Sequence, residues 1–337
     1  MAGATTPEMV VAVSEAGGLG SLPSAQYSPP QLRAALDTVR QRTTKPINVN
    51  FFCHALPQPD PARLNAWRAR LAPYYAELGL DPEAAPPAAG RTPFDAGLCA
   101  IVEEYRPAVT SFHFGLPPPA LLDRVRAANA KIIASATTVA EACWLEANGA
   151  DAVIAMGLEA GGHRGNFLSD DMARQVGTFA LVPQIADAVR VPVIAAGGIA
   201  DARGIVAAFA LGADAVQIGT AYLLSPEAKI PAPHLAALRT AGDDATVVTN
   251  VFTGRPARGI VNRLVRELGP LSVDAPAFPL AGAALAPLRA ATEPHGSADF
   301  INLWAGQAAK LARAAPAGTM TREWADQALA LLARRQI

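Results

Sequence analysis

Ala152-Val153-Ile154-Ala155-Met156, followed at once by Gly157-Leu158-Glu159-Ala160-Gly161-Gly162-His163-Arg164-Gly165, is the stretch that decides the fold. Five apolar residues with β-branched members, closed by glycine, spell a buried strand. The loop that follows carries four glycines in nine residues. Outward from it the same unit repeats. Further strands are predicted at Gly18–Leu22, Ile47–Phe51, Val109–His113, Lys131–Ser135, Val193–Gly197 and Ala215–Gly219. Amphipathic helices fall between most of them, and their ends are readable. Thr6-Pro7-Glu8 opens one that stops at Gly17; Thr138 opens one that stops at Gly149; Asp201 opens one that stops at Gly212. Ser, Thr and Asp satisfy free N–H groups at helix starts, Pro fits the first turn, and Gly suits the stop. Strand and helix in alternation imply βα units around a parallel sheet. Strands covered by helices should be apolar on both faces.

Seven strands are countable, and an eighth is needed to close a barrel. Met1-Ala2-Gly3 stands directly before the first helix, where a first strand should be ending. We read it as a stub, since seven parallel strands with two bare edges are an aggregation liability. The alternative is an ordinary helix start and an open sheet. The expected fold is therefore α/β, a (β/α)8 TIM-type barrel with a truncated first strand and a smaller capping subdomain. The barrel is assigned to residues 1–225, with a helical insertion at about 56–97. The cap is assigned to 226–300, where the rhythm is lost among prolines. Residues 301–337 are read as two closing helices, Phe300–Ala314 and Thr321–Arg335, packing back on the barrel.

The chain has 337 residues, 51% hydrophobic and 17% charged, with a formal net charge of −1. That balance argues against disorder and against nucleic-acid binding, which needs a clustered basic excess. Three widely spaced cysteines, Cys53, Cys99 and Cys143, form no CxxC pair, so a disulfide framework is not indicated and a cytoplasmic setting is expected. No apolar run reaches the roughly 18–20 residues that span a bilayer, and no leader pattern precedes the chain.

The candidate site residues gather at predicted strand ends. Gly197-Gly198 and Gly219-Thr220 close the last two strands. The loops there commonly bind phosphate in barrels, because bare backbone N–H groups and helix N-termini can reach its oxygens. Tight turns that need positive φ are the alternative. His163, at the tip of the glycine-rich loop, can serve as base or acid near neutrality. Arg164 is free to pair with an anionic substrate or with Glu159. Asn50 is a polar residue among apolar neighbours, suited to a ring edge or to a turn. Gln217 is an amide within an apolar strand and needs a partner if buried. His54 and His113 share this rim. Three histidines invite a metal, but no HxH, HExxH or carboxylate-rich set accompanies them, so no metal is expected. His113 is read as lining or packing in the pocket, and Cys53 and Cys99 as small buried hydrophobes.

Several of these motifs resemble those of the nitronate monooxygenases, formerly called 2-nitropropane dioxygenases. The likeness runs through Met1-Ala2-Gly3 with Thr6-Pro7-Glu8, Ser14 to Gly20, Asn48 to Phe52, Gly157 to Gly165, Pro192 to Ile199, Gln217 to Thr220, and Trp304-Ala305-Gly306-Gln307. The resemblance implies an FMN-dependent barrel enzyme that oxidises alkyl nitronates, and in some members neutral nitroalkanes, with O2 to a carbonyl compound and nitrite. It makes His163 the base that takes the α-proton of a neutral nitroalkane. It aligns Asn50, Gly161, Gly198, Gln217, Ile218, Gly219 and Thr220 with FMN contacts, and sets Met1, Ala2, Gly3, Gly162 and Gly197 beside the flavin. Many members carry Gln where Met156 stands. They also carry a full apolar strand ahead of the position of Met1. The enoyl-acyl-carrier-protein reductases, FMN enzymes that use NAD(P)H and share the Gly-Gly-His loop, are the nearest rival. A flavin-free isomerase or aldolase using the same phosphate loops and a non-catalytic flavin binder are further alternatives. Oligomeric state leaves no mark in the sequence.

Overall fold

The computed structural model describes residues 1–83 and 91–335. Residues 84–90 of the expected helical insertion and the last two residues lie outside that range. The strands are β1 (Gly20–Pro23), β2 (Ile47–Phe52), β3 (Val109–His113), β4 (Lys131–Ala136), β5 (Ala152–Met156), β6 (Gly162–His163), β7 (Val193–Ala196), β8 (Ala215–Gln217), β9 (Thr246–Thr249) and β10 (Ala257–Ile260). The helices are α1 (Pro7–Glu15), α2 (Pro29–Arg42), α3 (Pro61–Glu77), α4 (Ala96–Tyr105), α5 (Pro119–Ala127), α6 (Val139–Ala147), α7 (Thr178–Ala188), α8 (Ala202–Ala210), α9 (Ala232–Thr240), α10 (Arg263–Leu268), α11 (Ala286–Thr292) and α12 (Ala317–Arg335).

Seven strands form one curled parallel sheet in the order β1-β2-β3-β4-β5-β7-β8, an α/β fold of the TIM-barrel type. The expected caps hold: Thr6, Thr138 and Asp201 each accept a backbone N–H in the first turn of α1, α6 and α8. Among the described residues β1 pairs only with β2, and β8 only with β7. Met1-Ala2-Gly3 is a turn, with the N–H groups of Ala4 and Thr5 donated to the Met1 carbonyl, and not a strand stub.

The two faces of this sheet differ, contrary to the all-apolar expectation. Side chains alternate along a strand. Val49 and Phe51 of β2, Phe112 of β3, and Ile132 and Ala134 of β4 face the helices and join the main core. Each large one fully buried there contributes about 1.5–3 kcal/mol. The inward face holds a small apolar cluster, Ile133, Ala152, Ile154 and Ala196. Beside it Asn48 and Asn50 of β2 and Ser111 and His113 of β3 make part of the inward face polar. Asn48 donates to Ser21 Oγ at 2.7 Å and to Ser111 Oγ at 2.8 Å, and Asn50 donates to Ser111 Oγ at 2.9 Å. Mutual hydrogen bonds make that burial tolerable.

A second sheet, antiparallel and in the order β6-β10-β9, joins the glycine-rich loop to the hairpin of residues 246–260. A separate core lies under it. There Trp67, Leu71 and Tyr74 of α3 pack with Val251, Leu288 and Phe300, and Trp67 Nε1 donates to the Ala281 carbonyl at 3.1 Å. The helical excursion thus shares a core with the region after residue 226. The expected helix Phe300–Ala314 is not formed. Trp304 instead bridges Gly259, Ile260 N–H donates to Leu303 O, and only Ala309–Leu311 makes a 3-10 turn. The last helix starts at Ala317, earlier than expected, because the Glu227 carboxylate accepts the Ala317 N–H at 3.1 Å. Among the described residues no helix is long and apolar enough to cross a membrane.

Candidate active site

His163 reaches its place through β6. Its backbone pairs with Ala257 of β10, and Arg164 N–H donates to Pro256 O at 2.9 Å. Arg164 supplies the other anchor. Its side chain is fully buried and donates to Met156 O at 2.8 Å, Gly157 O at 2.7 Å and Gln175 Oε1 at 2.9 Å. It ties the loop to the end of β5 and pairs with neither a free anion site nor Glu159. The Glu159 carboxylate accepts Thr178 N–H, at 2.8 Å through its shorter contact, and caps α7. Gly161 is needed for a close approach: a Cβ there would sit 2.5 Å from Gly306 N.

The His163 ring is buried among aromatics. Phe278 lies 5.1 Å away, Trp304 5.5 Å, and Phe52 and Phe114 both 6.1 Å, centroid to centroid. Its Nε2 meets Thr253 Oγ1 at 2.9 Å, and among the described residues Nδ1 has no hydrogen-bond partner. His113 stands behind it. A carbonyl oxygen only accepts, so the 3.1 Å contact from His113 Nε2 to His163 O places the proton on Nε2. His113 Nδ1 then accepts from Ser135 Oγ at 3.1 Å. Burial pushes His113 down to about 3 and His54 down to about 4. Burial, then Arg91, His113 and Arg255, hold His163 well below the ordinary histidine range. All three rings are therefore neutral at pH 7. Arg255 stacks on Phe114 at 4.1 Å and Arg91 on Phe278 at 5.3 Å. Arg255 Nε and Arg91 Nη1 are buried without a partner among the described residues. The arrangement presents a neutral imidazole in a water-poor, electropositive recess. That suits proton abstraction from a carbon acid whose conjugate base is an anion.

The predicted strand-end residues occupy the rims of β7 and β8. Gly197 and Gly198 have φ of +113° and +72°, so both positions of the turn after β7 require glycine. Among the described residues no acceptor takes the N–H of Gly198 or of Gly219, and both residues are exposed. A Cβ on Gly219 would meet nothing within 4 Å. These are features of an anion cradle. Thr220 Oγ1 accepts Gly306 N–H at 2.8 Å, which leaves its own proton free to donate. The expected helix-dipole contribution is weaker than foreseen. Asp201 caps α8, and Gly219 leads only into a 3-10 turn, Thr220–Tyr222. Gln217 is exposed at the edge and Ile218 half-buried. Asn50 lies on the inward face of β2, and Gly162 has φ of +78°. Met1 and Ala2 are half-buried and Gly3 exposed, with Met1 packed against the cores under the second sheet. Cys99 is buried and Cys53 half-buried, and burial raises the thiols of both. Among the described residues no three His, Cys, Asp or Glu side chains converge as metal ligands.

Sequence reasoning missed Thr253, Arg255, Arg91 and Phe278, all from segments without βα rhythm. The turn Gly254-Arg255-Pro256 after the β-branched run Thr246-Val247-Val248-Thr249 is the signal that could have shown the hairpin.

Known proteins place this site in context. The family model described as nitronate monooxygenase matches residues 1–324. A nitronate monooxygenase of Pseudomonas aeruginosa is 42% identical over 333 residues, covering 97% of this chain and 94% of that protein. Among solved structures, nitroalkane oxidase from Streptomyces ansochromogenes is similar at a TM-score of 0.90 and 38% identity, over 99% of this chain and 95% of that one. FabK from Thermotoga maritima is similar at a TM-score of 0.74 and 30% identity, over 100% of this chain and 93% of that one.

Proposed function

This chain belongs to the nitronate monooxygenase family and is an oxidoreductase, and from that premise we propose that it converts alkyl nitronates and O2 to a carbonyl compound and nitrite on bound FMN. The observation that carries this reading is the buried, neutral His163 with an unengaged nitrogen in an electropositive recess. FMN, when bound, supplies the electron acceptor for nitronate oxidation and passes electrons to O2.

The residues present fit that group. The N–H groups of Gly198 and Gly219, without an acceptor among the described residues, and the Thr220 hydroxyl would take the phosphate. Asn50, Gly161, Gly162, Gly197, Gln217 and Ile218 would line the flavin, with Met1, Ala2 and Gly3 beside it. Arg91 and Arg255 favour an anionic nitronate over its neutral acid. For a neutral nitroalkane, His163 takes the α-proton. The C–H bond breaks, its electron pair delocalises into the nitro group, and the proton rests on the imidazole. Phe52, Phe114, Phe278 and Trp304 keep water from the ring. Residues 226–300 act as a cap that completes the site over the barrel of residues 1–225. The protein works in the cytoplasm.

The test is the absorption spectrum of purified protein, followed by anaerobic titration with ethyl nitronate. A yellow protein bleached by nitronate supports the reading; a colourless protein that no FMN restores removes it. The likeness to FabK favours a second reading, an NAD(P)H-dependent FMN reductase, and rapid anaerobic bleaching by NADH would favour that one.

A further inference from the structure

We propose that Thr253 is the positioning residue that keeps the His163 ring in the tautomer able to accept a proton on Nδ1. The proposal rests on the reading of His163 as a base. The Thr253 hydroxyl oxygen is 2.9 Å from His163 Nε2 and 3.3 Å from the Arg255 carbonyl oxygen. A hydroxyl has one proton to give, and a carbonyl can only accept. When the Thr253 proton goes to Arg255 O, its oxygen accepts Nε2–H, and the Nδ1 lone pair stands unengaged. In the opposite arrangement the hydroxyl donates to Nε2 and the ring proton sits on Nδ1. Then neither nitrogen is available, and the base is switched off.

The backbone holds the first arrangement in register. Thr253 and His163 are 90 residues apart in sequence. Ala257 pairs with His163 on one side and Thr249 on the other, so hairpin and base belong to one ladder. Gly254 N–H donates to Asn250 O at 2.8 Å and closes the turn that carries Thr253. Thr253 is buried, so water cannot replace it as acceptor. In proton transfer the C–H bond breaks, its electron pair passes into the nitro group as the nitronate forms, and the proton goes to Nδ1. The Nε2–H bond to Thr253 remains and stabilises the cationic ring.

The experiment uses the purified holoprotein labelled with 15N-histidine, as wild type, Thr253→Val and Thr253→Ser. The chain has five histidines, so comparison with His163→Asn assigns the resonance. Wild type should show His163 as the Nε2–H tautomer, Thr253→Val should move it toward Nδ1–H, and Thr253→Ser should restore it. In parallel, Thr253→Val should lower kcat/KM for neutral nitroethane by about 10–100-fold, within the ~10²–10⁴-fold worth of a general base. Ethyl nitronate, already deprotonated, should change less than about twofold on the same grounds. A wild-type Nδ1–H tautomer, an unchanged tautomer in Thr253→Val, or equal losses on both substrates would overturn the proposal. Absence of nitroethane turnover in the wild type counts against the base reading alone, because the tautomer is read without turnover.

Discussion

Replacing His163 by Asn removes the imidazole held by Thr253 at the centre of the aromatic recess and keeps a polar side chain of smaller size. A general base is worth about 10²–10⁴-fold, so the barrier for neutral nitroethane should rise by about 3–5 kcal/mol. The lost ring contacts with Phe278 and Trp304 should lower stability by about 1–2 kcal/mol, leaving a folded protein. The assay is nitrite release from neutral nitroethane and from ethyl nitronate, each as kcat/KM, with flavin content as control. The expected result is collapse of the first with near-wild-type rates on the second. Because burial holds the imidazole well below its ordinary range, the wild-type rate on neutral substrate should also stay level between pH 8 and 6. Equal loss on both substrates, or a wild-type titration limb at or above pH 6.5, would refute the reasoning.

Gly219→Ala adds a methyl where nothing lies within 4 Å, so stability should change by less than about 1 kcal/mol. FMN retention on gel filtration should fall sharply; unchanged retention would move the phosphate elsewhere. Acid should unfold the protein through its histidines. His113 at about 3, His54 and His234 at about 4, and His163 are all depressed by burial, against about 6.5 unfolded. The unfolded chain therefore binds more protons below pH 6.5, and stability that is full above pH 6.5 is lost as pH falls toward 4. Near pH 5, denaturant titrations should report uptake of about three to four protons on unfolding, each worth about 1.4 kcal/mol per pH unit. Trp67→Ala empties the core shared by α3 and the hairpin region and should cost about 3–5 kcal/mol by chemical denaturation. A loss under about 1 kcal/mol would mean that this core is loosely held.

The barrel was legible because its signals are local. Val109–His113 and Ala152–Met156 lie where the apolar runs place them, and other strand ends shift by one or two residues. The rest depends on partners far along the chain. Phe300, Ile301, Leu303 and Trp304 have helical spacing, yet all four are buried without helix, and Leu303 and Trp304 pair with Ile260 and Gly259. A lone Thr253 carries no mark of the histidine it meets 90 residues away. Polar Asn48, Asn50 and Ser111 inside the sheet are explained only once they are seen bonding one another. Arg164, expected to pair with an anionic substrate or with Glu159, is instead an internal tie to the end of β5.

The ladder that joins His163 to the hairpin also bears on how the molecule assembles. Contacts between residues distant in sequence form late, because chain entropy must be lost before they give anything back. The parallel sheet can gather from neighbouring βα units, whereas His163 is seated only after residues 246–260 have been made and folded against it. A nascent or partly unfolded chain would hold its strands and still lack a positioned His163. Opening of the hairpin alone would silence the site while the barrel stays intact, and hydrogen exchange at Ala257 and Arg258 would report that event apart from global unfolding.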